Sequence, residues 1–321
     1  MENSILVTGC AGFIGSHVVE KLLANGHNVI GIDNFDPFYP RETKERNLKG
    51  FLNHPDFTFL EMDICDPGLG EAIAAEVDVV IHLAAKAGVR PSIEDPKSYL
   101  QVNVQGTQNI LEWMKQAGVL KMVFASSSSV YGNNDKVPFC EEDTIDFPIS
   151  PYAFTKKACE LQNHVYHKLY GMDILNLRFF TVYGERQRPD LAIHKFTEGI
   201  LRGHRIHLYG DGSSSRDYTY VDDTVDGILK AMERVLSSNS PIFETYNLGN
   251  SQPISLAELV GMIESKAGKK AIVETMTMQP GDVERTFADI SKAADVLDYR
   301  PQTTLEAGIE KFIAWKKREW A

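Results

Sequence analysis

Tyr152 and Lys156, four positions apart, are the residues of this chain best suited to moving a proton. In a helix that spacing stacks a phenol and an ammonium one turn apart on the same face. Pro151 fits the first turn of such a helix, where its fixed φ is already helical and its missing N–H is not needed. A phenol releases its proton near pH ~10. To act as a base at neutral pH its pKa would have to fall by about 3, worth roughly 4 kcal/mol, and a neighbouring cation pushes it that way. The bare pair is also a common helix-surface pattern, so the rest of the chain has to supply context. Four hydroxyls, Ser126 to Ser129, follow an apolar stretch and could relay a proton between Tyr152 and a bound alcohol, or simply form a polar strand exit. No Gly-x-Ser-x-Gly turn presents a serine as a hydrolase nucleophile.

The elements around these residues alternate. Ser4–Thr8 is a short apolar run that stops at Gly9, followed by Gly12, Gly15 and a helical pattern from Phe13 to about Asn25. Asn28 to Asp33 reads as the next strand, closing on an acid 18 positions after Gly15. Glycines without Cβ atoms let the chain turn tightly and approach a diphosphate at a helix N-terminus, and the acid can accept hydrogen bonds from ribose hydroxyls. Gly9, Gly12, Phe13, Ile14, Gly15, Asp33 and Asn34 are therefore candidate dinucleotide contacts. A 2′-phosphate would be repelled by Asp33, which favours NAD over NADP.

Further strands are expected at Phe57–Glu61, Val77–Leu83, Lys121–Ala125 and Ile174–Arg178, with long helices at Pro96–Gln116 and Pro151–Tyr170. Such alternation predicts an α/β fold, a doubly wound parallel (Rossmann-type) sheet with ligands at the carboxyl ends of its strands. Asp33, Asp63, Ala84 to Lys86 and Ser126 to Ser129 all fall at such ends. After Arg178 the pattern changes to Gly-, Pro- and Arg-rich loops with shorter helices, which predicts a smaller substrate-binding lobe. The division is residues 1–180 as dinucleotide-binding domain, with 216–249 returning to it, and 181–321 mainly as substrate domain.

The 321 residues carry a net charge of −11, which argues against nucleic acid or an anionic membrane as partner. Cys10, Cys65, Cys140 and Cys159 form no CxxC pair, which predicts buried free thiols, no disulfide scaffold and no metal site. With no basic leader and no apolar run near ~18 residues, a cytoplasmic protein is expected.

Taken together, the glycine turn, Asp33, the serines and Tyr152-x3-Lys156 resemble the extended short-chain dehydrogenase/reductase superfamily, and within it the NAD-dependent nucleotide-sugar epimerases and dehydratases. The fragments His82-Leu83-Ala84-Ala85, Leu177 to Gly184, Gly210-Asp211-Gly212, Arg216 to Asp223, Tyr246 to Gly249 and Pro280 to Val283 extend the resemblance over almost the whole chain. It implies that Tyr152 takes a proton from a sugar hydroxyl, while Lys156 binds the nicotinamide ribose and lowers the Tyr152 pKa, with Ser127 and Ser128 beside them. It also implies that Asp63 and Ile64 meet the adenine, and that Leu83, Ala84, Ala85, Lys86, Asn103 and Ser126 line the cofactor channel. Arg216 would bind the substrate diphosphate and Asp282 the nucleotide ribose, with Tyr209 also among the substrate contacts. Relatives of this kind usually dimerise through the two long helices, so a homodimer is expected.

Dehydratases of this type carry an Asp-Glu pair, and related decarboxylases a Glu, where this chain has Ser128-Ser129. Dehydration is therefore disfavoured and 4-epimerisation favoured. The segments Lys86 to Pro96 and Tyr183 to Ala192 resemble those of UDP-glucuronate 4-epimerases, and they hold Arg90, Arg186 and Arg188. A uronate needs such a cation near C6 and a neutral hexose does not. Arg186 is the expected carboxylate anchor, with Ser127 to Ser129 and Thr181 nearby and Arg90 as second choice. The family's proline in Tyr-Gly-Pro-Arg is Glu185 here, whose charge would weaken uronate binding if it pointed inward. The alternatives are a UDP-glucose/UDP-galactose 4-epimerase, a UDP-glucuronate decarboxylase and a non-catalytic NAD-binding regulator on the same fold.

Overall fold

A strand covered by helices on both faces has to be apolar on both, and Ile5-Leu6-Val7 is. It forms β1 (Ser4–Thr8), whose Ile5 and Val7 enter one core while Leu6 enters the other. The computed structural model describes residues 2–73, 76–277 and 283–320. β1 pairs in parallel with β2 (Asn28–Asp33) on one side and β4 (Val79–His82) on the other, so that Leu6 faces both Ile30 and Val80. β3 (Phe57–Glu61) extends the β2 side, while β5 (Lys121–Ser127) and β6 (Asp173–Phe179) extend the β4 side. The winding thus reverses at β1, and a crevice opens beyond its carboxyl end.

Helices Phe13–Ala24 and Val221–Leu236 cover one face of the sheet, and Gly106–Ala117 and Pro151–Tyr170 the other. The last of these begins as expected. Ser150 Oγ accepts the Ala153 N–H at 3.1 Å, Pro151 occupies the first position, and Gly171 ends the helix at φ +68°.

The helix expected over Pro96–Gln116 is instead three pieces: Pro96–Tyr99, a π-helical stretch Leu100–Gln105, and Gly106–Ala117. In the widened turn, carbonyls are met by side chains of the neighbouring long helix. Cys159 Sγ donates to Asn103 O at 3.2 Å and Gln162 Nε2 to Val104 O at 3.3 Å. Apolar periodicity carries no mark of such an inserted residue.

Three strands, β7 (Thr181–Tyr183), β8 (Arg205–Tyr209) and β9 (Ser215–Tyr220), follow before the chain re-enters the large sheet as β10 (Phe243–Leu248), parallel to β6. β9 sits between β7 and β11 (Pro253–Ser255), and β8 pairs with β12 (Ile272–Met276). All four cysteines are free thiols, but only Cys10 and Cys159 are buried; Cys65 and Cys140 are half-exposed at loops. Among the described residues no helix is long and apolar enough to cross a membrane, and no cluster of His, Cys, Asp or Glu is arranged to hold a metal.

Candidate active site

Two cavities meet above the carboxyl ends of the strands. The first, about 470 Å³, is lined by Gly9, Gly12, Phe13, Ile14, Gly15, Asp33, Asn34, Asp63, Ile64 and Leu83 to Lys86, together with Ser126 to Ser129, Tyr152, Lys156, Thr181 and Arg188. The second, about 760 Å³, is lined by Arg90, Thr181, Arg188, Tyr209 and Arg216 among others. Gly88, Val89, Thr181, Arg188 and Leu191 belong to both and form the passage between them. Gly88 has φ +114°, and a Cβ there would lie 3.3 Å from Pro91 Cδ and 3.7 Å from Arg188 Nη2.

The first cavity fits a dinucleotide. A Cβ on Gly15 would fall 2.0 Å from Gly9 O, so only glycine lets the turn close beneath a diphosphate. Asp33 accepts the Ala11 N–H at 3.1 Å and the Phe35 N–H at 2.9 Å, which aims the carboxylate and leaves lone pairs for ribose hydroxyls. Lys44 Nζ lies 3.6 Å from Asp33 Oδ1, both side chains buried, and offsets part of that acid's charge. Lys44 was not foreseen, because Arg41–Leu48 reads as a solvated, charged helix. Asn34 donates to Asp63 at 2.7 Å, joining the ends of the β2 and β3 segments.

Beneath β1 and β4, Thr8 Oγ1 accepts the Leu83 and Ala84 N–H groups at 3.2 and 3.1 Å. Its own proton is then left for His82 Nδ1 at 2.7 Å, so the ring N–H belongs on Nε2, donating to Thr107 Oγ1 at 3.0 Å. Burial, with the Lys156 charge, pushes the His82 pKa down to about 3, so the ring is neutral.

Burial raises the Tyr152 pKa, opposed by a hydrogen bond with Ser127 and by the positive charge of Arg188. Lys156 Nζ donates to Ala125 O at 2.7 Å, and burial lowers its pKa to about 8. Arg188, delivered from a distant loop, thus adds a positive charge acting on the phenol, and the ammonium one helical turn away is held by β5. Ser127 Oγ also accepts the Ser129 N–H at 3.2 Å, which ties the hydroxyl run to the strand end. Ser126 is different: its hydroxyl turns away to Glu160 Oε1 at 2.5 Å. Glu160 in turn holds Arg178 through both oxygens, at 3.0 and 2.9 Å, a buried pair supporting the strand end from behind.

Three of the residues expected at the site line neither cavity or lie outside the described residues. Asn103 is buried and lines neither cavity; its amide bonds Lys86 N and O, at 2.8 and 3.0 Å, and Thr155 Oγ1, so it fixes the channel wall without forming it. Arg186 lines neither cavity: its backbone is left-handed at φ +64°, and its Nη2 pairs with Glu20 at 2.8 Å on the glycine-turn helix. Asp282 lies outside the described residues.

The arginine that enters the passage is Arg188, held in a fork by Asp190 at 2.9 and 2.8 Å and stacked 5.0 Å from the Phe38 ring. Burial opposes its charge, but the Asp190 carboxylate outweighs this and raises the guanidinium pKa. Arg90 lies 4.3 Å over the Tyr209 ring in the second cavity, and Arg216 donates to Ser215 O at 2.9 Å. The Glu185 carboxylate accepts the Tyr220 hydroxyl at 2.6 Å and lines neither cavity, so its charge does not face a bound acid.

Known proteins place this geometry. The family model described as GDP-mannose 4,6 dehydratase matches residues 6–312. A UDP-glucuronate 4-epimerase of Thermodesulfobacterium geofontis is 41% identical, over 97% of this chain and 95% of its own. The structure of UDP-glucuronic acid 4-epimerase from Bacillus cereus, in complex with UDP-glucuronic acid and NAD, superposes with a TM-score of 0.93 at 39% identity, covering 98% of this chain and 99% of that one. The UDP-glucose 4-epimerase of Thermotoga maritima, with UDP-glucose, gives 0.90 at 34% identity, covering 99% and 100%. The glycine turn, the Tyr152–Lys156 helix and the match along nearly the full length agree: this chain belongs to the GDP-mannose 4,6 dehydratase family, among its nucleotide-sugar epimerases of the short-chain dehydrogenase/reductase type.

Proposed function

We propose that the protein is a UDP-glucuronate 4-epimerase, interconverting UDP-glucuronate and UDP-galacturonate with a retained NAD. The observation that carries this reading is Arg188, a half-buried guanidinium that lines both cavities and whose positive charge favours the Tyr152 phenolate. Bound NAD supplies reversible hydride acceptance at its nicotinamide ring. Tyr152 holds and returns the proton of the sugar C4 hydroxyl, with the Ser127 hydroxyl lining the same cavity and favouring the phenolate. Ser128 lines the first cavity where a dehydratase would carry an acid, so no carboxylate stands at that position to expel water. The Arg90–Tyr209 stack and Arg216 line the second cavity and would receive the nucleoside diphosphate.

Oxidation at C4 turns a uronate into a β-keto acid, which loses CO2 when its carboxylate stands perpendicular to the ketone plane. Arg188, with Thr181 and Ser127 to Ser129, would hold the carboxylate away from that orientation. These roles, the division into a dinucleotide-binding part and a substrate part, and a cytoplasmic homodimer make up one reading. The dimer is supported by Phe154, Leu161, Val165 and Leu169, exposed apolar residues on the long helix.

The test is incubation with UDP-glucuronate without added NAD, followed by sugar analysis. UDP-galacturonate is the expected product. UDP-xylose would favour a decarboxylase, and turnover of UDP-galactose alone would favour the neutral-hexose epimerase suggested by the Thermotoga maritima neighbour.

A further inference from the structure

We infer that Arg186, Glu20 and His17 form a clasp by which the glycine-turn helix sets the position of Arg188, making Arg186 a positioning residue. The inference rests on the reading of Arg188 as the anchor for the sugar acid.

His17 and Glu20 lie three residues apart on one face of the helix Phe13–Ala24, whose first residues line the cofactor cavity. Both reach across to the segment that carries Arg188. Glu20 Oε1 receives Arg186 Nη2 at 2.8 Å, and His17 Nε2 lies 3.0 Å from Glu185 O. Burial, and then the Arg186 charge, lower the His17 pKa, so the neutral ring donates its N–H to that carbonyl. The Glu185 carboxylate is fixed separately by Tyr220. With residues 185 and 186 so held, the left-handed backbone at Arg186 reverses the chain direction. Gln187 is then locked by its side chain on Val182 O at 3.2 Å, and its own carbonyl is bonded to His194 Nδ1 at 2.7 Å.

Arg188 follows directly and turns into the passage. Its fork to Asp190, only two residues away, fixes the guanidinium relative to its own loop but not relative to the sheet. The Phe38 stack and the Gln187 bonds tie it to the loop after β2, to β7 and to His194, and the clasp adds a tie to the glycine-turn helix. It spans 166 positions of sequence and ties that loop to the helix beneath the diphosphate site.

Arg186→Asn is the informative variant, because asparagine tolerates φ > 0 and the loop keeps its backbone. Glu20→Gln breaks the same pair from the other side. In a Tyr152→Phe background, where binding is read without turnover, calorimetry compares UDP-galacturonate with UDP-galactose. Each variant is expected to lower the uronate-over-hexose affinity ratio by about tenfold while leaving the hexose affinity and melting temperature near their parent values. The double variant is expected to lose no more than Arg186→Asn alone, since the two side chains act as one. In the Tyr152 enzyme the same variants are expected to release more UDP-pentose from UDP-glucuronate.

An unchanged ratio in Arg186→Asn or Glu20→Gln, or losses that add in the double variant, overturns the clasp. Arg188→Gln separates the two layers. A collapsed ratio there with an intact one in Arg186→Asn removes the clasp and keeps the acid anchor. An intact ratio in Arg188→Gln removes the anchor itself.

Discussion

At the scale of single residues, the obstacle to base catalysis is the burial of Tyr152, which disfavours the phenolate more than Ser127 and Arg188 favour it. Its phenol lines the first cavity, where a bound sugar hydroxyl would replace water as its proton partner. Tyr152→Phe is expected to lower kcat by about 10²–10⁴ while UDP-sugar binding, followed by calorimetry, is retained. A second outcome belongs to Arg188: replacing it with lysine keeps the charge but loses the planar fork. KM for UDP-glucuronate should rise by about tenfold and that for UDP-glucose hardly at all, read from paired steady-state kinetics. Side-chain type and spacing marked Tyr152, Lys156 and the serines as candidates, and all of them line the first cavity. Within that lining the Lys156 ammonium is turned to Ala125 O and the Ser126 hydroxyl to Glu160. Arg188 was not distinguishable from Arg186. The two stand in an irregular segment with no period to say which faces inward, and the left-handed φ at Arg186, whose side chain pairs with Glu20, leaves no trace in a non-glycine residue.

The elements hold these groups through buried polar joints. Asn103 in the π-helical stretch bonds Lys86 and Thr155 at once, so Asn103→Leu should cost about 1–3 kcal/mol and lower the melting temperature. His82 joins β1 and β4 to the helix Gly106–Ala117, and acid acts on it in a definite direction. The unfolded chain protonates His82 below about pH 6.5, whereas the folded chain resists until about pH 3. Between those values the unfolded state binds more protons, so stability falls as pH drops through that window, by at most about 1.4 kcal/mol per unit. His82→Asn should flatten the decline of melting temperature between pH 7 and 5. The strands and the long helix starting at Pro151 were plain from apolar runs, a glycine stop and a proline. The π-helical break was not, since it depends on side chains from another helix reaching its carbonyls.

For the whole molecule, the fold order was legible because strand–helix alternation admits few windings. How two copies meet is a matter of surface. Phe154, Leu161, Val165 and Leu169 expose 48–66% of their area along one helix. Val165→Asp is expected to shift the proposed dimer to monomer in light scattering, because a charge in that stripe has no partner to offset its desolvation. The passage at Gly88 has a different bearing. Its lining includes a residue with no side chain, at a backbone angle that other residues rarely adopt. A methyl group there would press on Pro91 and come within 3.7 Å of the Arg188 guanidinium, so the wall shared by the two ligands would have to shift to admit it.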